Sequence, residues 1–235
     1  MANGILYLLP AMLADGEVES VIPQGTLTIL RNLEFFIVED IRTARRFLIK
    51  ASIKKPIDEL NFQVYNEHSN ENELNEYLEA AFRGHNIGLL SEAGVPCVAD
   101  PGAQIVRTAH THGVRVVPLT GPSSILLALM ASGFNGQNFA FFGYLPSDKL
   151  NRARKIKELE KMILEKDQAQ VFIETPYRNV QVFESLIKVC KAETQLCIAT
   201  DISGTNEAIK SMSIADWRHQ KPDIHKKQTI FLLYH

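Results

Sequence analysis

The 235-residue sequence predicts an α/β protein made of two α/β domains. Three observations predict this. Short apolar, β-branched runs alternate with helically spaced segments along the whole chain. The alternation breaks once, near residues 118–121, and then restarts. The length, with 46% hydrophobic residues, suffices for one large core or two modest ones. The expected domains are residues 1–118 and 119–235.

In the first half, residues 4–9 and 35–38 are short apolar strands, and 42–50 is a basic helix. Residues 62–65 are strand-like. Residues 71–82 space Leu74, Tyr77, Leu78, Ala81 and Phe82 at helical intervals, which predicts a helix. A buried strand follows at 87–90, a helix begins near Ala103, and 114–118 is β-branched and strand-like. In the second half, 125–131 is a hydrophobic helix with Gly133 as its C′ residue. Then come a strand at 139–142, a charged amphipathic helix at 151–166, a strand at 170–173, a helix at 180–189 and a strand at 195–200. Residues 209–213 and 229–234 are late strands.

Composition excludes several classes. A charged fraction of 22% argues against bulk disorder, and a net charge of −2 supplies no global basic field for nucleic acid, although a local patch can still serve. Three irregularly spaced cysteines do not make a disulfide framework, so reduced thiols are expected. His110 and His112, two apart, would point to different faces of one helix, so no metal site is expected. The first ten residues lack a basic start, and no segment reaches the ~18 consecutive apolar residues of a membrane span. A cytoplasmic protein that does not enter the membrane is expected.

The most informative stretch is residues 91–102, Ser-Glu-Ala-Gly-Val-Pro-Cys-Val-Ala-Asp-Pro-Gly. Two glycines and two prolines after a buried strand fix an irregular path and expose backbone groups, which suits either a ligand loop or a tight connection. Ser123 and Ser124, at the entrance of the helix over 125–131, suit either capping or a ligand. Asp100 before Pro101 is placed to cap the next helix. No dinucleotide fingerprint, phosphate-binding glycine loop or G-x-S-x-G elbow is present. Arg42, Arg45, Arg46, Lys50, Lys54 and Lys55 form a basic stretch that is either a solvated helix face or a phosphate-binding surface; Lys149, Arg152, Arg154, Lys155 and Lys157 form a second. Trp217 is expected to pack in the core.

The order of the motifs is more specific than any one of them. Leu6-Tyr7-Leu8-Leu9-Pro10 opens the chain, and Glu39-Asp40-Ile41-Arg42 follows the second strand. The 91–102 loop, Arg107-Thr108, Gly113-Val114-Arg115-Val116-Val117-Pro118 and Gly121-Pro122-Ser123 come next. Phe142-Gly143-Tyr144-Leu145-Pro146, with Lys149 and Arg152 beyond, and Glu174-Thr175-Pro176-Tyr177-Arg178 complete the set. This series resembles the tetrapyrrole methylase superfamily, and within it the ribosomal RNA small-subunit methyltransferase I family. The resemblance implies two α/β domains with S-adenosyl-L-methionine in a cleft between them, a homodimer, and methylation of a ribose 2′-hydroxyl of small-subunit ribosomal RNA. Carried over residue by residue, the cofactor would meet Pro10, Ala93, Gly94, Val95, Val98, Ser123 and Ser124, and from the second half Ile173, Glu174, Ala199 and Thr229.

The sequence also departs from that family. Its Pro-Ile-Gly-Asn-Leu-like stretch is here Pro10-Ala11-Met12-Leu13-Ala14-Asp15-Gly16, and its Ser-Asp-Ala-Gly-Thr-Pro is Ser91-Glu92-Ala93-Gly94-Val95-Pro96. These changes keep two further readings open: a methyltransferase acting on a small molecule or another RNA, and a cofactor-binding protein without turnover. A ribose hydroxyl is a poor nucleophile at neutral pH, so a base should assist. The acidic candidates are Glu39, Asp40, Glu92 and Asp100; Arg42, Lys149 and Arg178 are the candidates for holding RNA. Glu39 or Asp40 can instead serve to hold Arg42.

Overall fold

The computed structural model describes residues 2–66, 68–70 and 73–235. The chain divides into two units, one ending at Ser123 and one beginning at Ser124. Each is an α/β unit, as the sequence predicts.

The first unit runs β1 (Ile5–Leu9), α1 (Val18–Val21), α2 (Gln24–Leu30), β2 (Phe35–Val38), α3 (Ile41–Lys50), β3 (Asn61–Val64), α4 (Glu79–Phe82), β4 (Ile87–Leu90), α5 (Ala103–Thr111) and β5 (Arg115–Pro118). Its strands form a sheet in the order β3-β2-β4-β1-β5, with every pairing parallel. A parallel sheet must be covered on both faces, and the period of two in its strands supplies both cores. Leu9, Phe36, Val38 and Leu90 pack with Leu27 and Leu30 of α2 and with Ala44 and Leu48 of α3. Leu6, Ile37, Ile87 and Leu89 pack with Ala81 of α4 and with Ile105 and Ala109 of α5. Asp40 starts α3 by accepting a hydrogen bond from the Thr43 amide at 2.7 Å.

The second unit runs α6 (Ser124–Ser132), β6 (Phe139–Tyr144), α7 (Lys149–Lys166), β7 (Ala169–Glu174), α8 (Asn179–Val189), β8 (Gln195–Thr200), β9 (Ala208–Ser213), α9 (Ile214–Trp217) and β10 (Thr229–Tyr234). The sheet order is β6-β7-β10-β8-β9; β6 and β7 are parallel and the other pairs antiparallel. Ile156, Leu159 and Ile163 of α7, Val182, Phe183 and Leu186 of α8, and Trp217 cover one face. Trp217 is buried and donates its indole N–H to the Leu196 carbonyl at 2.8 Å, so it packs as expected. Helix α6 lies against β9 and β10.

Two local expectations fail. Of the helix expected over 71–82, Glu71 and Asn72 lie outside the described residues, and the described ones are broken by a turn at Leu74 and Asn75 between 3₁₀ backbone at Glu73 and a 3₁₀ turn at Glu76–Leu78 that leads into the single turn of α4. Asn75, at the start, makes no side-chain cap, so nothing satisfies the first amides of a longer helix. Conversely, α1 and α2 form where the periodicity predicts nothing, because four and seven residues are too short to show a period.

Candidate active site

Strands β1, β4 and β2 end level with one another, since Leu9 pairs with Leu90 and Val38 also pairs with Leu90. Pro10, Ser91 and Glu39 therefore stand side by side at the carboxyl edge of the sheet. The chain leaves β1 toward the face covered by α2 and leaves β4 toward the face covered by α5. Neighbouring strands whose connections part to opposite faces leave a crevice at their carboxyl ends, where open α/β sheets bind ligands.

The 91–102 loop fills one side of this crevice. Its first turn pairs with the segment after β1: the Ala11 amide donates to the Gly94 carbonyl at 2.8 Å, and the Gly94 amide donates back at 3.2 Å. Gly94 sits at φ +76°, and a Cβ there would lie 3.0 Å from Leu13 Cδ2 and 3.4 Å from the Pro122 carbonyl oxygen. Gly121 lies so close to Pro10 that a Cβ would fall 2.2 Å from its Cγ. The structure thus brings predicted residues Pro10, Ala93, Gly94 and Val95 together with Pro122, next to Ser123. Val98 is exposed on the same loop, and Ser124 begins α6. Cys97 and Ala99 both hold left-handed backbone, at φ 67° and 58°.

The acidic candidates separate by environment. Asp40 is spent on the α3 cap, and the Thr43 amide holds its carboxyl below the ordinary range. Asp100 does not cap α5: Gly102 takes that position, with no side-chain bond. Instead Asp100 faces Glu39. Burial, then the hydrogen bond with Asp100, then the charges of Asp100 and Glu92 push the Glu39 pKa up to about 8. The hydrogen bond between these two carboxyls uses the proton that Glu39 keeps, and no donor reaches the buried Glu39 Oε1. Glu92 is exposed at the rim, and burial together with Asp40 and Asp100 raises its pKa.

In the second unit, Glu174 pairs with Thr229, which pairs with Thr200; one row earlier Ile173 pairs with Ile230, and Ile230 with Ala199. Ile173 and Ala199 therefore share one face of the sheet across Ile230, while Glu174 and Thr229, one row on, share the opposite face. Glu174 is buried; its Oε1 accepts the Thr175 amide at 2.8 Å, and its Oε2 lies 3.0 Å from Arg178 Nη2. Arg178 also donates to the Leu145 carbonyl at 3.2 Å, so its guanidinium ties β7 to the turn after β6. Lys149 is exposed on the first turn of α7, and Arg42 is exposed on that of α3. Sequence reasoning misses Asn179. It is fully buried, and its Nδ2 donates to the carbonyls of Ile224 (2.9 Å) and Lys227 (2.7 Å) and to Thr229 Oγ1 (3.0 Å). An asparagine opening a helix has an ordinary role there, so no signal in the sequence marks it. Among the described residues, no group of three or more His, Cys, Asp or Glu is arranged to hold a metal ion.

Comparison with known proteins agrees with this architecture. The fold is similar to that of the methyltransferase CobJ, at TM-score 0.66 and 18% identity over 99% of this chain and 94% of that one. It is also similar to a cobalamin biosynthetic enzyme, cobalt precorrin-4 methyltransferase CbiF, at TM-score 0.64 and 14% identity over 97% and 94%. In sequence, the chain is 31% identical over 98% of its length to a Vibrio cholerae protein named ribosomal RNA small subunit methyltransferase I, covering 77% of that protein. Proteins of the same name from Haemophilus influenzae (31%, 98% of this chain, 78% of that one) and Thermotoga maritima (29%, 88% and 90%) are similar too. The model of the family described as tetrapyrrole (corrin/porphyrin) methylases matches residues 20–217, and the chain belongs to that family.

Proposed function

We propose that this chain uses S-adenosyl-L-methionine to methylate a ribose 2′-hydroxyl of small-subunit ribosomal RNA. The observation that carries the reading is sequence similarity over 98% of the chain to proteins named for that RNA, together with a carboxyl-edge crevice of matching chemistry. The residues present fit the cofactor. Adenine needs small apolar walls and backbone groups, such as the residues 93–98 provide. A cationic sulfonium is favoured beside the carboxyls of Glu39, Glu92 and Asp100. Pro10, Ala93, Gly94, Val95, Val98, Ser123 and Ser124 of the first half and Ile173, Glu174, Ala199 and Thr229 of the second would hold it. When bound, it supplies an electrophilic methyl carbon.

The chain's own contribution is alignment and one proton. Glu39 Oε1 lacks a donor, so it is open to accept the proton of a hydroxyl brought to the crevice. The hydrogen bond with Asp100 then helps hold that proton on Glu39. Asp40, spent on its cap, fixes the end of β2 that carries Glu39. Thr229, pinned by Asn179, fixes its end of β10.

Transfer of labelled methyl to small ribosomal subunits, followed by digestion to nucleosides, tests the reading. Label in a 2′-O-methylated nucleoside is expected; label only in a base, or none, overturns it. We further propose that the enzyme is a cytoplasmic homodimer. Among the described residues no helix is long and apolar enough to cross a membrane. Apolar side chains also stand out on α6, where Met130 is 77% exposed. Light scattering on the purified chain checks the dimer.

A further inference from the structure

The basic stretch over residues 42–55 sorts into two sets once its partners are known. Arg45 pairs with Asp58 at 3.3 Å and lies over the Phe62 ring; Lys55 pairs with Glu34 at 2.7 Å, and Lys54 donates to Asn32 at 2.8 Å. Arg42, Arg46 and Lys50 remain, spaced four apart along one face of α3. Arg46 has no ion-pair partner among the described residues, and Lys50 meets only the fully exposed Asp15, at 3.9 Å.

Arg46 and Lys50 line a groove of about 430 Å³ between α3 and the segment after β1. Met12 and Leu13 give it an apolar wall, Phe47 lines it from α3 beside Arg46, and Glu92 also lines it. Thr43, Phe47 and Glu92 also line the small recess that holds Glu39, so the groove leads into the carboxyl cluster. Cations and an aromatic ring on one helix, across from an apolar segment, are the chemistry that takes a single nucleotide strand: phosphates on the cations, a base against the ring. Two acidic groups also line it: Glu92, shared with the recess of Glu39, and Asp15, in a loose exposed pair with Lys50 that a phosphate can displace.

We propose that this groove seats the RNA nucleotide adjoining the methylated one, with Arg46 and Lys50 on its phosphates and its base against Phe47 and Met12. The proposal rests on the RNA-acceptor reading above. The test compares Arg46→Glu and Lys50→Glu with Arg83→Glu. Arg83 is an exposed arginine of the same unit, just before the amino end of β4. Cofactor affinity is read by calorimetry. Retention of unmethylated small ribosomal subunits on filters is read across potassium chloride concentrations, and KM and kcat are read with the same subunits.

For Arg46→Glu and Lys50→Glu, subunit binding weakens about tenfold, the salt slope falls by about 1, and the KM for subunits rises with little change in kcat. Cofactor affinity stays at the wild-type value, and Arg83→Glu behaves as wild type throughout. If charge reversal disturbs the fold, seen as lost cofactor binding, Arg46→Gln and Lys50→Gln carry the same expectation. Wild-type transfer with both groove variants retaining normal affinity and slope overturns the groove while leaving the function standing. A wild type that neither binds subunits nor transfers methyl to them overturns both.

Discussion

Replacing Glu39 with glutamine keeps the shape of the side chain and removes its titration. In the native chain the Glu39 carboxyl holds its proton up to about pH 8, against 4.5 ordinarily. Between those values the folded state binds a proton that the unfolded state has released. This group's contribution is therefore fully present below about pH 4.5 and is lost as pH rises through 8. At about 1.36 kcal/mol per unit, a fully buried group with that span would lose about 5 kcal/mol. Glu39 is only partly buried, and solvent screening reduces the loss to about 1–2 kcal/mol. Urea unfolding of wild type and Glu39→Gln at pH 5.5 and 8.5, followed by circular dichroism, reads it directly. The variant should gain about 1–2 kcal/mol on the wild type between the two pH values, and its kcat for methyl transfer should fall by about 10²-fold or more. Wild-type kcat should rise with pH as Glu39 ionises. Parallel pH profiles of stability for the two proteins would refute the Glu39–Asp100 pair. A variant that keeps wild-type kcat would refute Glu39 as the base, even with the stability result intact.

Asn179→Ala leaves the buried carbonyls of Ile224 and Lys227 without their donor, so unfolding free energy should drop by about 2–4 kcal/mol in urea melts. Cofactor affinity should weaken with it, because Thr229 loses its pin. Gly121→Ala drives a methyl group to within 2.2 Å of Pro10; calorimetry should show weakened cofactor binding, and melting a loss of about 1–3 kcal/mol. Ala99→Gly relieves a left-handed residue and should stabilise the chain by about 0.5–1 kcal/mol, net of glycine's extra chain entropy.

What was legible in the sequence divides along physical lines. The strand Ile87–Leu90 is a continuous apolar run because both faces of a parallel sheet are covered, and the run is read without ambiguity. Pro10 and the 91–102 loop were legible for a similar reason: glycine and proline act locally, so their consequences follow from neighbouring residues. The Glu39–Asp100 pair is different. Each carboxylate follows a different strand, and only the register of β2 against β4 brings the two ends level. Asp100 before a helix has the local form of a cap, and the tertiary partner wins over the local one. The basic stretch on α3 had two open readings because ion pairing with Asp58 and Glu34, across turns and strands, decides which cations remain available.

The loop that stood out first also shows why a structural connection alone is an insufficient account of it. Cys97 and Ala99 are L residues in left-handed backbone, each costing about 1–3 kcal/mol where a glycine would cost little. Strain of this kind persists only where the surroundings over-determine the path. The surroundings hold it in place: the paired amides of Ala11 and Gly94 fix the start of the loop, and buried Pro96 its middle. Cys97 does not supply the reason through its own chemistry, since burial and Asp100 push its thiol up to about 11 and leave it unreactive near neutral pH. What the strained path achieves is placement. It sets Ala93 and Val98 outward at the crevice and turns Asp100 back beneath it onto Glu39. In the proposed function the same twelve residues would form the cofactor wall and position the carboxyl bonded to Glu39, and that double duty is a reason for the strain to persist.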